Sequence, residues 1–87
     1  MANVSVPSLM RDLTGGEASV DGSGATVAEV LHDLEARYPG FAQRLLVGDD
    51  LDPALVVVVD DRPAPLGLST RVRVDSRIRF LPAVGGG

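Results

Sequence analysis

The sequence predicts an α+β domain of two layers, in which one helix packs on one face of a mixed β-sheet. Three features lead there. A capped amphipathic segment starts at Thr26, a run of β-branched residues fills Leu55–Val59, and short alternating segments lie near both ends of the chain. With 87 residues, 45% of them hydrophobic, the chain suits one domain with a single modest core. The aromatic residues are Tyr38, Phe41 and Phe80, so that core must be aliphatic.

In chain order, Val4, Val6 and Leu9 suggest a first strand, with Asn3 and Ser5 on its other face. Thr14-Gly15-Gly16 signals a turn. Residues 17–21 alternate again, with Ala18 and Val20 on one face, so the first two strands read as a β-hairpin. Asp21-Gly22-Ser23-Gly24 then breaks the chain. Thr26 followed by Glu29 has the form of a capping box, in which each end of the motif satisfies a backbone N–H of the first helical turn. Val27, Val30, Leu31 and Leu34 follow at helical spacing, Tyr38 extends the stripe, and Asp33, Glu35 and Arg37 face away. Pro39-Gly40 stops the helix. Residues 41–46 fit one further helical turn, and residues 48–53 read as a polar loop.

Leu55–Val59 is a strong strand. Asp60-Asp61-Arg62-Pro63 makes a turn, and residues 65–70 show no clear period. Asp75-Ser76 turns the chain into a last strand over residues 77–81, with Ile78 and Phe80 on one face and Arg79 and Leu81 on the other. The helix between the second and third strands forces a crossover, which lets the first and last strands lie side by side in mid-sheet. This is the β-grasp, or ubiquitin-like, arrangement. It divides the chain into a β-grasp domain over residues 1–82 and a flexible C-terminal tail over residues 83–87. A sheet covered by one helix has one wet face, yet the valines at 56–59 supply both faces. Either valine simply suits a central strand, or a Val57/Val59 face, with Leu81, forms an apolar patch able to dock a partner.

Composition excludes several kinds of chemistry. The net charge is −4 and the eight cations, all arginine, are spread along the chain, which argues against nucleic-acid binding. Without lysine there is no side-chain amine for a Schiff base or an isopeptide bond. Without cysteine there is no disulfide, thiolate metal site or thiol nucleophile. No apolar run approaches the ~20 residues of a membrane span, and the N-terminus lacks a signal-peptide pattern. The expectation is a cytoplasmic protein without membrane contact. His32 has no second histidine to share a metal with, and reads as a surface residue. Asp49-Asp50-Leu51-Asp52 lacks the spacing of a calcium loop. No set of base and orienting group exists to activate a serine, so the chain is not expected to be an enzyme, nor to bind a metal or cofactor of its own.

The C-terminal FLPAVGGG remains. Three consecutive glycines at a chosen place arise by chance roughly once in 3,000, although the chain is rich in glycine and loose termini without a function are common. Residues 82–87 could span about 20 Å when extended, and glycines let a backbone enter a channel too narrow for side chains. The reactive group at its end is the Gly87 carboxylate. As an anion it is a poor electrophile. Adenylation by ATP would convert it into a mixed anhydride with AMP as leaving group. Sulfide or a persulfide could then displace AMP and leave a thiocarboxylate, with no internal thiol to intercept the activated group.

The stretches VSVPSLMRDLTGGEASV (4–20), DLEARYPG (33–40) and FLPAVGGG (80–87) resemble the ubiquitin-like sulfur carriers of the ThiS/MoaD type, and among them the actinobacterial carriers of cysteine biosynthesis. Phe80, Leu81, Pro82, Val84, Gly86 and Gly87 match the apolar-Pro segment that ends in Gly-Gly. Gly85 replaces another small residue, and Asp75-Ser76-Arg77 stands where relatives often have Asp-Gly-Asp. The resemblance implies a sulfur carrier, itself a substrate of partner enzymes. An adenylating enzyme related to ubiquitin-activating proteins, using ATP and magnesium, would activate Gly87. A sulfurtransferase would supply sulfur. A biosynthetic enzyme, pyridoxal-phosphate-dependent in the cysteine case, would accept it, and a zinc metalloprotease would release the product. Leu81 would dock on the adenylating enzyme while Val84, Gly85 and Gly86 thread its active site. Thiamine, molybdopterin and secondary metabolites are other destinations for such sulfur. Two further readings are a protein modifier conjugated through Gly87 and a plain interaction module.

Overall fold

The structure, a computed structural model, describes residues 1–83. Its main sheet is built from β1 (Ala2–Ser5), β2 (Ser19–Gly22), β5 (Leu55–Val59), β6 (Arg62–Pro63) and β7 (Arg77–Pro82), in the spatial order β2-β1-β7-β5-β6. β1 runs antiparallel to β2 and parallel to β7, and β7 runs antiparallel to β5. The sheet is therefore mixed, with the first and last strands adjacent at its centre, and the fold is the β-grasp that the element order implies.

Alternation decides which side of the sheet is buried. Ala2, Val4 and Val6 alternate inward, Val20 and Gly22 join them from β2, and Ile78 and Phe80 from β7. Helix α1 (Val27–Arg37) covers this face with Val27, Val30, Leu31 and Leu34, all essentially inaccessible to water. The Thr26 hydroxyl accepts the Glu29 N–H at 3.2 Å, while the Glu29 carboxylate accepts the Ala25 N–H at 3.2 Å. The capping box is thus closed one residue earlier than its ideal form. Glu35, expected to face away, instead accepts the N–H groups of Gly40 (2.7 Å) and Ala42 (2.9 Å). It ties the end of the helix to the following turn, where Phe41 and Leu45 enter the core.

Several short elements depart from the expectation. The link between β1 and β2 is not a tight turn but a 3-10 segment, Ser8–Thr14, closed by Gly15 in a left-handed conformation (φ 65°). Leu9 stands on that segment, 90% exposed, and Met10 takes the core position instead. Ala18 is exposed as well. β3 (Leu46–Val47) ends the stretch expected to be helical, and it pairs antiparallel with β4 (Asp50–Leu51), which lies in the region read as a polar loop. A second 3-10 turn, Ala42–Arg44, precedes it, and a third, Gly67–Ser69, lies in the stretch without period. Among the described residues no helix is long and apolar enough to cross a membrane.

Gly22 lets the helix approach the sheet. A Cβ there would lie 2.8 Å from Val30 Cγ1 and 3.2 Å from the Val30 carbonyl oxygen. The methyl can rotate aside but the helix backbone cannot, so Gly22→Ala should destabilise the fold by about 1–3 kcal/mol, as overpacking does. A lower urea midpoint with an unchanged slope is the expected observation.

Candidate functional site

The feature that the fold presents most distinctively is the end of β7. Five register pairs join it to β5, from Val59↔Ile78 to Leu55↔Pro82. On its other side Asn3↔Arg77 and Val4↔Ile78 bind it to β1. The Ala83 N–H donates to the Ala54 carbonyl at 2.7 Å, so the ladder holds the chain up to the last described residue. The predicted threading residues Val84, Gly85 and Gly86, and the predicted sulfur-bearing Gly87, lie outside the described residues.

Leu81, the predicted docking residue, is on the sheet face away from the helix and is 42% exposed. Register also identifies its neighbours. Side chains of directly opposed residues share a face, so Val57 opposite Phe80 and Val59 opposite Ile78 point to the core. The expected Val57/Val59 patch is therefore wrong by one residue: Val56, opposite Leu81, and Val58, opposite Arg79, form the outward strip. Val58 sits between Arg79 on one side and Pro63 on the other and is nearly covered. Arg79 is held by Asp61 at 3.0 Å. A strip of Val56 and Leu81, bounded by an arginine, thus lies beside the end of β7. Five consecutive apolar residues carry no alternation, and for that reason this face was illegible before the register was known.

The opposite end of β7 is fixed by Asp60. Asp60 and Asp61 both have positive φ (51° and 69°), as the two central residues of a tight hairpin turn between β5 and β6 require. Aspartate tolerates that conformation better than most residues. The Asp60 carboxylate accepts the Arg77 N–H (2.9 Å) and the Ser76 hydroxyl (3.1 Å), and its own N–H donates to the Arg77 carbonyl (2.9 Å). Ser76 Oγ in turn accepts the Arg73 N–H (2.8 Å), and the Ser76 carbonyl accepts from Asn3 in β1 (2.9 Å). The two turns identified in the sequence form one knot, and buried Ser76 is the residue whose role the sequence did not reveal. The donated Arg77 N–H is the largest influence holding the Asp60 carboxyl below its usual range, helped by Ser76 and by the Arg73 and Arg77 charges and opposed by partial desolvation.

The remaining sequence candidates lie elsewhere. His32 is exposed on α1. Asp52 Oδ1 accepts the Ala54 N–H at 2.8 Å, a turn-stabilising contact just before β5.

Residues 4–87 match the model of the ThiS family. The sulfur carrier protein CysO of Mycobacterium tuberculosis is 37% identical over 91 aligned positions, which cover 97% of this chain and 96% of that protein. Its crystal structure superposes with a TM-score of 0.87 at 35% identity, covering 97% of this chain and 100% of that one. The Amycolatopsis orientalis BexX/CysO complex contains a chain that superposes with a TM-score of 0.89 at 38% identity, with both chains fully covered. The small archaeal modifier protein 1 of Methanosarcina acetivorans shares the fold, with a TM-score of 0.77 at 23% identity, covering 99% of this chain and 95% of its own.

Because folding lowers the Asp60 pKa, the folded state favours the carboxylate over the acid. Its contribution to stability is complete above the ordinary aspartate value of about 3.9 and is lost as pH falls through the lower folded value. Asn keeps the tolerance for positive φ but not the charge. Urea midpoints of wild type and Asp60→Asn should differ at neutral pH and converge at acid pH, with a flatter acid limb in the variant.

Proposed function

Because the chain belongs to the ThiS family, we propose that it is a sulfur carrier protein whose C-terminal glycine is activated and loaded by partner enzymes. The observation that carries this reading is the placement of β7. The strand preceding the glycines lies between two neighbours, and its ladder extends through Ala83, so whatever follows is presented from a fixed point. The 37% identity with a sulfur carrier over nearly the whole of both chains supports it independently.

In the proposed chemistry, a Gly87 carboxylate oxygen attacks the α-phosphorus of ATP, supplied with magnesium by an adenylating enzyme, and pyrophosphate leaves. Sulfide delivered by a sulfurtransferase adds to the acyl carbon, the carbon–oxygen bond to AMP breaks, and the thiocarboxylate remains. There is no redox change when the donor is sulfide. With a persulfide donor the outer sulfur displaces AMP to give an acyl disulfide, and a second thiol of the donor's enzyme then attacks the inner sulfur, breaking the S–S bond to release the thiocarboxylate and leave a disulfide on that enzyme. Cysteine formation is the proposed destination, with a pyridoxal-phosphate-dependent acceptor and a metalloprotease that frees the product. The chain's own part is positional. The Val56–Leu81 strip seats it on a partner, and the side-chain-free residues from Gly85 onward pass into a narrow channel. The complex that CysO forms with BexX in Amycolatopsis orientalis supports docking of this kind. The chain acts here as a protein substrate, not as a catalyst, in the cytoplasm.

Two measurements test this. Incubation with ATP, a sulfide source and the adenylating enzyme of the same host should raise the intact mass by one oxygen-to-sulfur exchange, and a Gly87-deleted chain should not change. An unchanged mass, while that enzyme loads another carrier, defeats the proposal. Leu81→Asp should fold normally, since Leu81 is on the surface, but should need about tenfold or more carrier for half-maximal loading, as loss of an interface anchor does. Equal half-maximal concentrations would remove Leu81 from the docking surface.

A further inference from the structure

The arginines, read above as spread along the chain, are in fact concentrated in its last third, and the fold concentrates them further in space. Residues 1–59 hold three arginines against nine acidic residues, whereas residues 60–79 hold five arginines against three aspartates. The fold gathers three of those five at the start of β7. Arg77 opens the strand opposite Asn3. Arg73 begins the turn that leads into it, with its N–H on Ser76 Oγ and its carbonyl accepting the Ser76 N–H at 3.1 Å. Arg71 bridges to Thr26, and Val72 between them is drawn inward by its N–H bond to Ala25 (3.0 Å). All three arginines are exposed. Among the described residues none of the three forms an ion pair within 4.0 Å, while Arg37, Arg44 and Arg79 do.

The aspartates nearby offset this group only in part: against its three arginines, Asp60 sets one negative charge close to Arg73 and Arg77. Both Asp60 oxygens are occupied by the Ser76 hydroxyl and the Arg77 N–H, and Asp61 is paired with Arg79. That leaves Asp75, in the turn, as the one local carboxylate without such a contact among the described residues. Next to it Val74 is 77% exposed, an apolar side chain at the tip of a turn bordered by arginines. Planar guanidinium groups suit carboxylates, which they can bind through two parallel hydrogen bonds. The exposed valine suits an apolar side chain beside them. A long polyanion such as nucleic acid would extend from this end onto a surface of net negative charge and be repelled there.

We propose that Arg71, Arg73, Arg77 and Val74 form a second docking surface, for an acidic segment of a partner protein that also carries an apolar side chain. β7 spans about 16 Å between Arg77 and Pro82, so a partner seated here leaves the C-terminal end free for another. The surface is thus a means of tethering the chain while its tail is used, and it does not depend on what the tail carries.

The test follows amide NMR signals of the isotope-labelled full chain during titration with a synthetic peptide of alternating Glu and Leu. The expected result is saturable shifts centred on residues 71–77 and Thr26, weakened by added salt and absent with the Gln-for-Glu peptide. Arg71→Gln, Arg73→Gln and Arg77→Gln together should weaken binding about tenfold or more. The bonds that fix this turn come from backbone groups of these residues, so the variant should keep its spectrum elsewhere, and Arg73→Gln alone serves as a milder check. Shifts centred on another surface, affinity unchanged by the substitutions, or tighter binding of an oligonucleotide or of inorganic phosphate to the same amides would overturn the proposal.

Discussion

The pairing of the last strand between the first and the third long strand is the contact on which the rest of this structure depends. Without β7 the sheet separates into β2-β1 and β5-β6, two hairpins with no common face for the helix to cover. Parallel pairing of β1 with β7 joins residues more than seventy positions apart, a closure with a large chain-entropy cost that only cooperative burial can offset. Val4, Val57, Ile78 and Phe80, one to two from each central strand, supply that burial against Val27, Val30, Leu31 and Leu34. The same pairing fixes where the chain leaves the sheet. Stability and presentation of the C-terminal end are therefore properties of one ladder.

Asp60 shows how a polar residue secures a hydrophobic architecture. Its left-handed turn reverses the chain after β5, and its carboxylate then reaches across to Ser76 and Arg77 at the start of β7, while the Ser76 carbonyl binds Asn3 in β1. Three strands are registered at one end by a single side chain and the serine beside it. Replacement of Ser76 by glycine would leave Asp60 Oδ2 and the Arg73 N–H without their shared hydroxyl. The Asp-Ser-Arg sequence at 75–77 thus has a structural partner in Asp60.

Much of this fold could be read from the residues. The helix was legible because Thr26 and Glu29 mark its start and four aliphatic residues repeat at its period. The central strands were legible because Val4/Val6 and Ile78/Phe80 alternate. Leu9 misled because it extends the apolar pattern of β1 past Pro7, where the chain has already entered a 3-10 segment. β3, β4 and β6 have two residues each, too few to show any period. The outward strip was misplaced for a different reason: in Leu55–Val59 every residue is apolar, so only the partner across the ladder determines which side each one faces. The arginine group at the start of β7 was hidden because Val72, Val74, Asp75 and Ser76 separate its members in sequence, and only the fold turns Val72 and Ser76 inward while leaving Val74 outside with the arginines.

The use of arginine alone for positive charge fits the proposed chemistry at the other end of the molecule. An activated C-terminal acyl group would be captured by any unprotonated amine that reached it. Lysine can supply one, because a small fraction of its ammonium is deprotonated at biological pH, and a larger fraction where a neighbouring positive charge or an apolar surface disfavours the cation. The guanidinium group keeps its proton throughout the biological pH range and is not such a nucleophile. A chain with eight arginines and neither lysine nor cysteine can carry a basic docking surface and still offer no side-chain amine or thiol to the activated terminus of another copy. Separation of the arginine group from the end of β7 would protect one molecule from itself, but only the choice of residue protects it from its neighbours at the concentrations at which a carrier works.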